Sequence, residues 1–394
     1  MDVFRLLVVI AASLVLACSP GAIALQSLGC PSNTVAMTHH AAQHTSSLML
    51  SIDDDTDLAS FPGSGTAEDP YVISGIIIAG SDLGISVANT RRHFIIRNCS
   101  MSTIQTSVRF SNVTNGVVEA CNLTGSTGVA IQLSQNCSVT RNRIVECTYG
   151  IQIGYSYQCI VKYNSISRSG FGIVLETASE ITVHSNDVFA NQRGLYAADT
   201  SHDNTFFLNS IGWNGESLLT HDDAYDDGES NQWDNGTVGN EWEDHDGSDD
   251  YWIRGDANAR DRFPNRLVDD TPPVVTLFPD DIVVEEGGPN VQLQWRGSDR
   301  FPREYVILFD LEPCLREPWS GETVTFIVSE SVIGEHNVTV MFLDFAYNAG
   351  SHSIRVTILP RLFGSGTVLV LHACIMSALS VLGLVVLVKL LGGT

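Results

Sequence analysis

One pattern of small, apolar and polar positions recurs between residues 84 and 217. Each repeat opens with a small residue, continues with alternating apolar residues, as at Ile151 and Ile153, and later carries an asparagine ahead of another apolar position. The small residues are Gly84, Ser107, Gly128, Gly150, Gly172, Gly194 and Ser217, and the asparagine positions are Asn98, Cys121 (the one departure), Asn142, Asn164, Asn186 and Asn209. Both series advance by 21 to 23 residues, which predicts a structural repeat.

A period near 22 residues that contains three short strands is typical of one rung of a right-handed, three-stranded parallel β-helix. Each rung must stack on its neighbours about 4.8 Å away to bury its apolar face. We expect the asparagines to adopt left-handed turns and to hydrogen-bond from rung to rung. Glycine would serve where a Cβ would clash at a sharp turn. Cys137 and Cys159 share one slot with Ile181, which favours interior thiols over a disulfide.

A second β pattern follows the linker at residues 269–273 and continues to about Leu359. Its six or seven strands predict a small immunoglobulin-like β-sandwich, although the Cys…Trp…Cys framework of antibody domains is absent. The predicted strands are Val274 to Leu277, Val291 to Trp295, Tyr305 to Leu308, Thr323 to Val328, Val338 to Phe342 and Ile354 to Ile358. We interpret this segment as a stalk next to the membrane.

The two ends of the chain predict an exported, single-pass membrane protein. An apolar run from Leu6 to Ala17 precedes the cleavage-like site at residues 22–24, which is typical of a signal peptide. Lipidation of Cys18 is the alternative reading of this region. Residues 368–388 carry no charge and are long enough to cross a bilayer as a helix.

The predicted architecture is therefore an all-β chain of 394 residues with one C-terminal transmembrane helix. Its predicted segments are a signal peptide (1–24), a leader (25–49), a right-handed parallel β-helix with an acidic cap (50–268), the immunoglobulin-like β-sandwich (269–361) and a membrane anchor with a short tail (362–394). The expected location is the cell membrane, with the N-terminal ectodomain exported.

The net charge of the chain excludes one class of binding partner. The chain has 45 acidic and 21 basic side chains, a net charge of −24. Nucleic-acid binding is excluded, because it requires a basic surface that displaces counterions.

Acidic residues are concentrated between Asp222 and Asp261, a stretch that contains 14 Asp or Glu and only two arginines. Within this stretch the spacing of Asp244, Asp246, Asp249 and Asp250 around Gly247 predicts a calcium site, because alternate carboxylates at a glycine turn can converge on a hard cation. The alternative is an acidic surface that adds only solubility. Nearby aromatic residues (Trp233, Trp242, Tyr251 and Trp252) argue that the segment is folded.

Other candidate chemistry is weaker. His39, His40 and His44 could bind a soft or borderline metal, but the sequence favours an unstructured, histidine-rich spacer. Glu176, Asp187 and Asp199 are the carboxylates near strand ends on neighbouring rungs, and they fall in different slots of the repeat. No ladder of acids results, so the sequence favours a non-catalytic protein.

Several segments resemble the NosD-type right-handed β-helix family. They are residues 65–73, residues 84–87, the Asn-x-Ile rungs, and residues 239–242 with the acidic stretch behind them. The resemblance covers roughly residues 50 to 268 and implies the β-helix fold and an exported location. Family members include periplasmic copper-binding proteins and related carbohydrate-binding or sugar-hydrolase repeats. No copper ligand set can be transferred to residues of this sequence.

The sequence thus predicts a membrane-anchored surface protein that binds extracellular glycans or envelope partners, or supports them structurally, without catalysis. The first alternative is a surface carbohydrate-active enzyme, either a polysaccharide lyase or a glycoside hydrolase. The second is a NosD-like metal-handling accessory protein, which would need clustered His, Met or Cys. Calcium is the only cofactor expected.

Overall fold

The computed structural model describes residues 49–215, 222–328 and 333–361. The predicted signal peptide, Cys18, the histidines at positions 39, 40 and 44, Ser217 and the predicted transmembrane helix lie outside these residues. Within them, no helix is long and apolar enough to cross a membrane. One short helix, α1 (Asp55–Leu58), follows the first strand and is capped by Asp54, whose side chain accepts from two backbone amides.

Three parallel sheets form a solenoid, because each strand pairs with the strand one rung away. The first sheet contains β1 (Leu50–Ile52), β4 (Leu83–Thr90), β7 (Thr106–Val113), β10 (Thr127–Gln132), β13 (Tyr149–Gly154), β16 (Phe171–Glu176), β19 (Arg193–Ala197) and β22 (Ala224–Asp226). The second contains β2 (Tyr71–Ser74), β5 (Phe94–Arg97), β8 (Gly116–Glu119), β11 (Ser138–Thr140), β14 (Ile160–Lys162), β17 (Thr182–His184) and β20 (Thr205–Phe207). The third contains β3 (Ile77–Ala79), β6 (Ser100–Ser102), β9 (Asn122–Thr124), β12 (Arg143–Val145), β15 (Ser165–Ser167), β18 (Asp187–Phe189), β21 (Ser210–Gly212), β23 (Glu241–Trp242) and β26 (Asn265–Arg266). The predicted three-stranded parallel β-helix is confirmed.

The period near 22 residues places equivalent residues of successive rungs directly above one another. In the second sheet Val139 pairs with Val161, which pairs with Val183, and all three are buried. One apolar cluster therefore runs along the solenoid. Cys137 and Cys159 occupy the predicted shared slot as buried free thiols, so this part of the prediction is also confirmed.

Glycine recurs at the small-residue positions because a Cβ atom would clash with the neighbouring rung, and not because the backbone has a positive φ there. A Cβ on Gly150 would lie 2.5 Å from the carbonyl oxygen of Gly172, and one on Gly172 would lie 2.5 Å from that of Gly194. A side chain there would separate neighbouring rungs, which explains the small-residue slot.

The left-handed turns lie one residue before the ladder positions. Asn98, Ala120, Arg141, Tyr163, Ser185 and Leu208 all have φ between 52° and 57°. The expectation that the repeated asparagines adopt this conformation holds for Asn98 but is wrong for Asn142, Asn164, Asn186 and Asn209. Asn98 lies in the turn itself, one residue before the ladder position of its rung. Asn98 is exposed, whereas the buried slot on its rung is occupied by Cys99, which aligns with Cys121. The left-handed turn position accepts side chains of many kinds. The residue that follows it in each rung points into the solenoid and is buried.

The buried asparagines form the predicted hydrogen-bonded ladder. The Nδ2 atom of Asn164 donates to Oδ1 of Asn186 (2.9 Å), and Asn186 donates in the same way to Asn209 (2.9 Å). The ladder begins with Asn142 and continues across a longer interval to Asn240. Each amide also donates to a backbone carbonyl, as Asn164 does to Val139. The asparagine side chains thus satisfy polar groups inside the solenoid.

Two shorter ladders, not predicted from the sequence, follow the other inner turns. Asn191 donates to Asn214, and Asn204 donates to Asn231. All three ladders end on an aspartate near the C-terminal end of the solenoid: Asn240 on Asp261, Asn214 on Asp223 and Asn231 on Asp226. Three of the acidic residues that appeared to form a surface cap are therefore buried hydrogen-bond acceptors.

An aromatic stack closes the same end of the solenoid. Trp233 stacks on Phe206 with ring centroids 4.2 Å apart, and Tyr251 stacks on Trp242 at 3.9 Å. The antiparallel pair β24 (Tyr251–Trp252) and β25 (Arg260–Asp261) covers this stack. The prediction that the acidic stretch is folded is confirmed, although Trp252 is 58% exposed.

Two further sheets, called the C-terminal sheets below, follow the linker and share one apolar core. One contains β27 (Val274–Leu277), β29 (Val291–Ser298) and β32 (Thr323–Val328), and the other contains β28 (Ile282–Glu285), β34 (Ala349–Leu359), β33 (Gly334–Asp344), β30 (Pro302–Phe309) and β31 (Glu312–Pro318). The pairing is antiparallel except between β28 and β34. The strands β28 and β31 were not predicted; β31 carries a proline at each end of a polar sequence, which hides its strand character.

The C-terminal sheets pack against the third sheet of the solenoid. Arg300 donates to Asp187 (Nη2 to Oδ1, 2.7 Å) and to Ser210 (2.7 Å). Phe301 contacts Phe189 at 5.2 Å between ring centroids. Ion pairing and aromatic packing together hold the two parts of the chain in one orientation.

Candidate binding cleft

A cleft of about 1560 Å³ lies between the solenoid and the C-terminal sheets. Its solenoid wall is made by six consecutive turns, from the turn after β6 to the turn after β21. Rungs stack about 4.8 Å apart, so the wall extends for about 24 Å along the solenoid axis. A cleft of this shape suits an extended chain rather than a compact small molecule.

Left-handed backbone positions direct several of these side chains outward. Glu146, Arg168 and Trp213 line the cleft and have φ of 56°, 55° and 55°. The residues that follow them point into the solenoid and are buried, as Asn214 is. The turn conformation therefore supplies one outward side chain on four of the six turns, while hydroxyl groups such as that of Thr148 lie beside it.

On the opposite wall of the cleft, Glu304 is ion-paired with Arg316 and Arg303. Glu304 accepts from Nε and Nη2 of Arg316 at 2.8 and 2.6 Å, and this pairing lowers the pKa of Glu304. The charged residues lining the cleft are three arginines and three glutamates: Arg168, Arg303, Arg316, Glu146, Glu304 and Glu317. The cleft is therefore balanced in charge, although the whole chain carries a charge of −24.

Arg168 connects the two walls. Its Nη2 donates to the carbonyl oxygen of Trp319 (2.8 Å) and to that of Arg303. Burial lowers the pKa of this guanidinium, and its Nε has no hydrogen-bond partner among the described residues. Arg168 thus fixes the width of the cleft at a cost in desolvation.

Aromatic rings form one end of the cleft. The ring of Trp213 lies 5.8 Å from that of Phe345, and both residues line the cleft. Phe301 packs beneath Trp213 at 5.1 Å between centroids. These contacts hold the Trp213 ring in place beside polar neighbours, including the exposed amide of Gln192.

The four residues of the predicted calcium site have separate partners. Asp246 accepts from the backbone amide (2.9 Å) and hydroxyl (2.6 Å) of Ser248, and Asp250 accepts from Arg260 (2.7 Å). Asp244 accepts from Tyr251 (3.4 Å), and Asp249 lies with Asp250 beside a small cavity at the C-terminal end. The structure does not gather these carboxylates at one point, and calcium binding by them stays a prediction.

The carboxylates considered for catalysis lie outside the cleft. Asp187 is bonded to Arg300, and Glu176 accepts from Gln152 on the first sheet (2.9 Å). Asp199 follows β19 and does not line the cleft. The one solenoid carboxylate in the cleft is Glu146, among the residues that the structure describes. Its left-handed turn carries no sequence signature, since arginine, alanine and tryptophan occupy the same column.

Comparison with known proteins agrees with the fold. The sequence profile of the family described as "Periplasmic copper-binding protein (NosD)" matches residues 50–247. This chain belongs to the NosD family. The family is extracytoplasmic by its description, and the resemblance seen in the sequence is confirmed for these residues. No curated protein sequence matches the chain.

The described residues of this NosD-family chain do not form a copper site. Copper favours imidazole and sulfur ligands. The described residues include five cysteines with free thiols, and all five are buried inside the solenoid. The described histidines have separate surroundings: His184 stacks on Phe207 (5.1 Å), and His202 contacts Asp203 (2.9 Å). One set of three potential ligand side chains has its atoms within 4.8 Å of one another in the described ranges, and it contains only carboxylates.

Solved structures with similar β folds share little sequence with this NosD-family member. The A-module of the Azotobacter vinelandii mannuronan C-5 epimerase AlgE6 is 11% identical, with 48% of this chain and 62% of that chain covered and a TM-score of 0.31. The enzymatically active domain of the bacteriophage CBA120 tailspike protein 2 is 10% identical, with 72% and 51% covered and a TM-score of 0.36. The alginate lyase from Paenibacillus sp. is 12% identical, with 55% and 99% covered and a TM-score of 0.28. We draw nothing about activity from these similarities.

Proposed function

We propose that this chain is an exported surface protein that binds an extended, uncharged glycan in the cleft between the solenoid and the C-terminal sheets. The observation that carries the proposal is the cleft itself, which presents hydroxyl and amide groups along six successive turns, opposite ion-paired side chains of the C-terminal sheets. Polar groups of this kind form hydrogen bonds with sugar hydroxyls, and the rings at one end provide an apolar contact surface.

The charges of the cleft and of the whole chain favour an uncharged glycan over an acidic one. The cleft is lined by three arginines and three glutamates and is balanced in charge, whereas the chain as a whole has a net charge of −24. A polyanion would be repelled at long range by the net charge of the chain. Two of the three cleft arginines, Arg303 and Arg316, are already ion-paired with Glu304. The third, Arg168, donates to backbone carbonyl oxygens of the opposite wall. An uncharged polymer avoids this repulsion and can exchange its water hydrogen bonds for those of the cleft.

The proposal can be tested with a panel of soluble neutral and acidic polysaccharides. Binding is measured by affinity electrophoresis and by isothermal titration calorimetry with the full-length protein in detergent. We expect a neutral polysaccharide to bind, and we expect Ser126→Tyr, which fills the cleft from an exposed turn position, to abolish that binding. Binding of acidic polymers alone, or binding that Ser126→Tyr leaves unchanged, would contradict the proposal.

Variants of two exposed glutamines can show whether binding takes place in the cleft or elsewhere on the surface. Gln192 and Gln232 are both exposed, but only Gln192 lines the cleft. We expect Gln192→Ala to weaken binding and Gln232→Ala to leave it unchanged, with equal melting temperatures for both variants. Analysis of the bound polymer for shortened products tests the alternative of a carbohydrate-active enzyme, because Glu146 and Glu304 both line the cleft.

We further propose that the chain is anchored by its C-terminal apolar segment, as the sequence predicts. Deletion of residues 363–394 should then release the protein from the membrane fraction. Retention of the truncated protein in that fraction would favour lipidation of Cys18 instead.

A further inference from the structure

Three carboxylates meet where the linker reaches the C-terminal sheets. Asp269 belongs to the linker, Asp299 lies between β29 and β30, and Asp344 ends β33. One oxygen from each lies within 4.8 Å of the others. Residues 75 positions apart in the chain are thus brought into one cluster by the fold, called the junction triad below.

No basic residue forms an ion pair with the junction triad in the described ranges. Arg300, the neighbour of Asp299, directs its guanidinium to Asp187 and Ser210 of the solenoid instead. Arg300 therefore acts on Asp269 only from a distance, and Asp269 and Asp344 disfavour the charged form of Asp299 at close range, which a bound cation would relieve.

A second and independent observation is an unused acceptor. The Oδ2 atom of Asp269 is buried and accepts no hydrogen bond from the described residues. A buried carboxylate oxygen without a partner loses its hydration with no compensation, so it is a natural position for a cation ligand. Burial also raises the pKa of Asp269, Asp299 and Asp344.

The remaining contacts hold the three carboxylates in place. Asp344 is wholly buried and accepts from the backbone amide (2.8 Å) and side chain (2.9 Å) of Asn348. The same side chain donates to the carbonyl oxygen of Asp269 (3.1 Å), and Asp299 accepts from the amide of Phe301 (2.7 Å). The cluster is therefore built into the linker and two loops rather than formed by mobile surface side chains.

We propose that the junction triad binds a calcium ion that ties the linker to the C-terminal sheets. Calcium accepts six to eight oxygen ligands in flexible geometry, so three carboxylates, carbonyl oxygens and water suit it, whereas imidazole and sulfur ligands are absent from the set. Bound calcium compensates the three charges and uses the free oxygen of Asp269. It also fixes the linker, and through it the orientation of the wall that carries Arg303.

Calcium titration of the full-length protein in detergent tests the site. The protein is stripped with a chelator, and calcium chloride is added in a calorimeter and in thermal melts, with sodium chloride of equal ionic strength as the comparison. We expect saturable binding and a calcium-specific rise in melting temperature. We expect Asp299→Asn to weaken calcium binding by at least about tenfold, because it removes a charged ligand.

A matched variant distinguishes this site from the one predicted at Asp246. Asp246→Asn removes one carboxylate from the acidic stretch and should leave calcium affinity unchanged. Asp299→Asn relieves repulsion within the triad, so in chelator it should melt no lower than the wild-type protein, which excludes misfolding as the cause of lost binding. Unchanged binding in Asp299→Asn, loss of binding in Asp246→Asn alone, or equal stabilisation by sodium chloride would each overturn the proposal.

Discussion

Asn240 ends the longest asparagine ladder on the carboxylate of Asp261. The backbone amide of Asn240 donates to Oδ2 of Asp261 at 2.6 Å, and its side-chain amide donates to the same oxygen at 3.3 Å. An amide ladder needs an acceptor at its last rung, because no further asparagine follows. Asp261 supplies that acceptor and also accepts from the indole of Trp242 (3.0 Å). The polar ladder and the aromatic stack of the solenoid thus end on one side chain.

Removal of this acceptor should destabilise the C-terminal end of the solenoid. Asp261→Ala leaves the amide of Asn240 and the indole of Trp242 without a partner in a buried site, at a cost of about 2 to 4 kcal/mol in the free energy of unfolding. Urea denaturation measures the change. Asp256→Ala, at an exposed position in the loop between β24 and β25, is the control and should cost much less. Equal stability of the two variants would contradict this role of Asp261.

Loss of an internal ladder residue should also be costly. Asn164→Leu removes the acceptor for the amide of Asn142 and the donor to Val139, so we expect a loss of about 2 to 4 kcal/mol in the free energy of unfolding. Asn122→Leu is the matched control, because Asn122 is exposed on the outer surface of β9. Thermal and urea unfolding of both variants test the ladder, and an unchanged melting temperature for Asn164→Leu would count against it.

Asp223, which ends the second ladder, should make stability depend on pH. Burial raises the pKa of Asp223 to about 7 in the folded chain, against about 3.9 when unfolded. The folded state therefore holds a proton that the unfolded state has lost between these values. Stability from this group is greatest at low pH and declines by about 1.4 kcal/mol per pH unit up to about pH 7.

The variant Asp223→Asn isolates this effect, because an amide oxygen can still accept from Asn214. We expect the variant to be more stable than the wild-type protein at pH 8, by on the order of 4 kcal/mol, and equal to it near pH 4. Urea denaturation across this range measures the difference. A difference that does not change with pH would show that Asp223 is ionised in both states.

The contact between Arg300 and Asp187 should control the orientation of the C-terminal sheets. Desolvation raises the pKa of Asp187, so its charge depends on the neighbouring guanidinium. Arg300→Ala would leave this carboxylate partly buried without its cation. We expect faster proteolysis in the linker at residues 269–273 and a larger radius of gyration in small-angle scattering. Arg355→Ala, at an exposed position on β34, should change neither.

The repeat predicted the solenoid because a fixed period is a direct consequence of stacking. Val139, Val161 and Val183 must align if each rung has nearly the same length, and the pattern of buried positions follows. The same logic located the buried ladder at Asn142, Asn164 and later positions. It failed at Asn98, because two adjacent residues of the turn have opposite roles and the sequence does not show which of them points inward.

The acidic stretch was harder to interpret because charge alone does not reveal burial. Asp223, Asp226 and Asp261 resemble their exposed neighbours in sequence, yet each receives the last amide of a ladder. The longer intervals before Asn231 and Asn240 break the period and conceal the continuation of two ladders. Only the folded chain distinguishes these buried acceptors from Asp246 and its exposed neighbours.

The sequence by itself therefore determined the repeating fold and its polar ladder, since both arise from contacts between residues about one period apart. The tertiary structure decided the cleft and the junction triad. Arg168 faces Arg303, and Asp269 faces Asp299 and Asp344, only because the C-terminal sheets fold back onto the solenoid and the linker. Such contacts follow no period along the chain, so no local pattern of residues can encode them visibly.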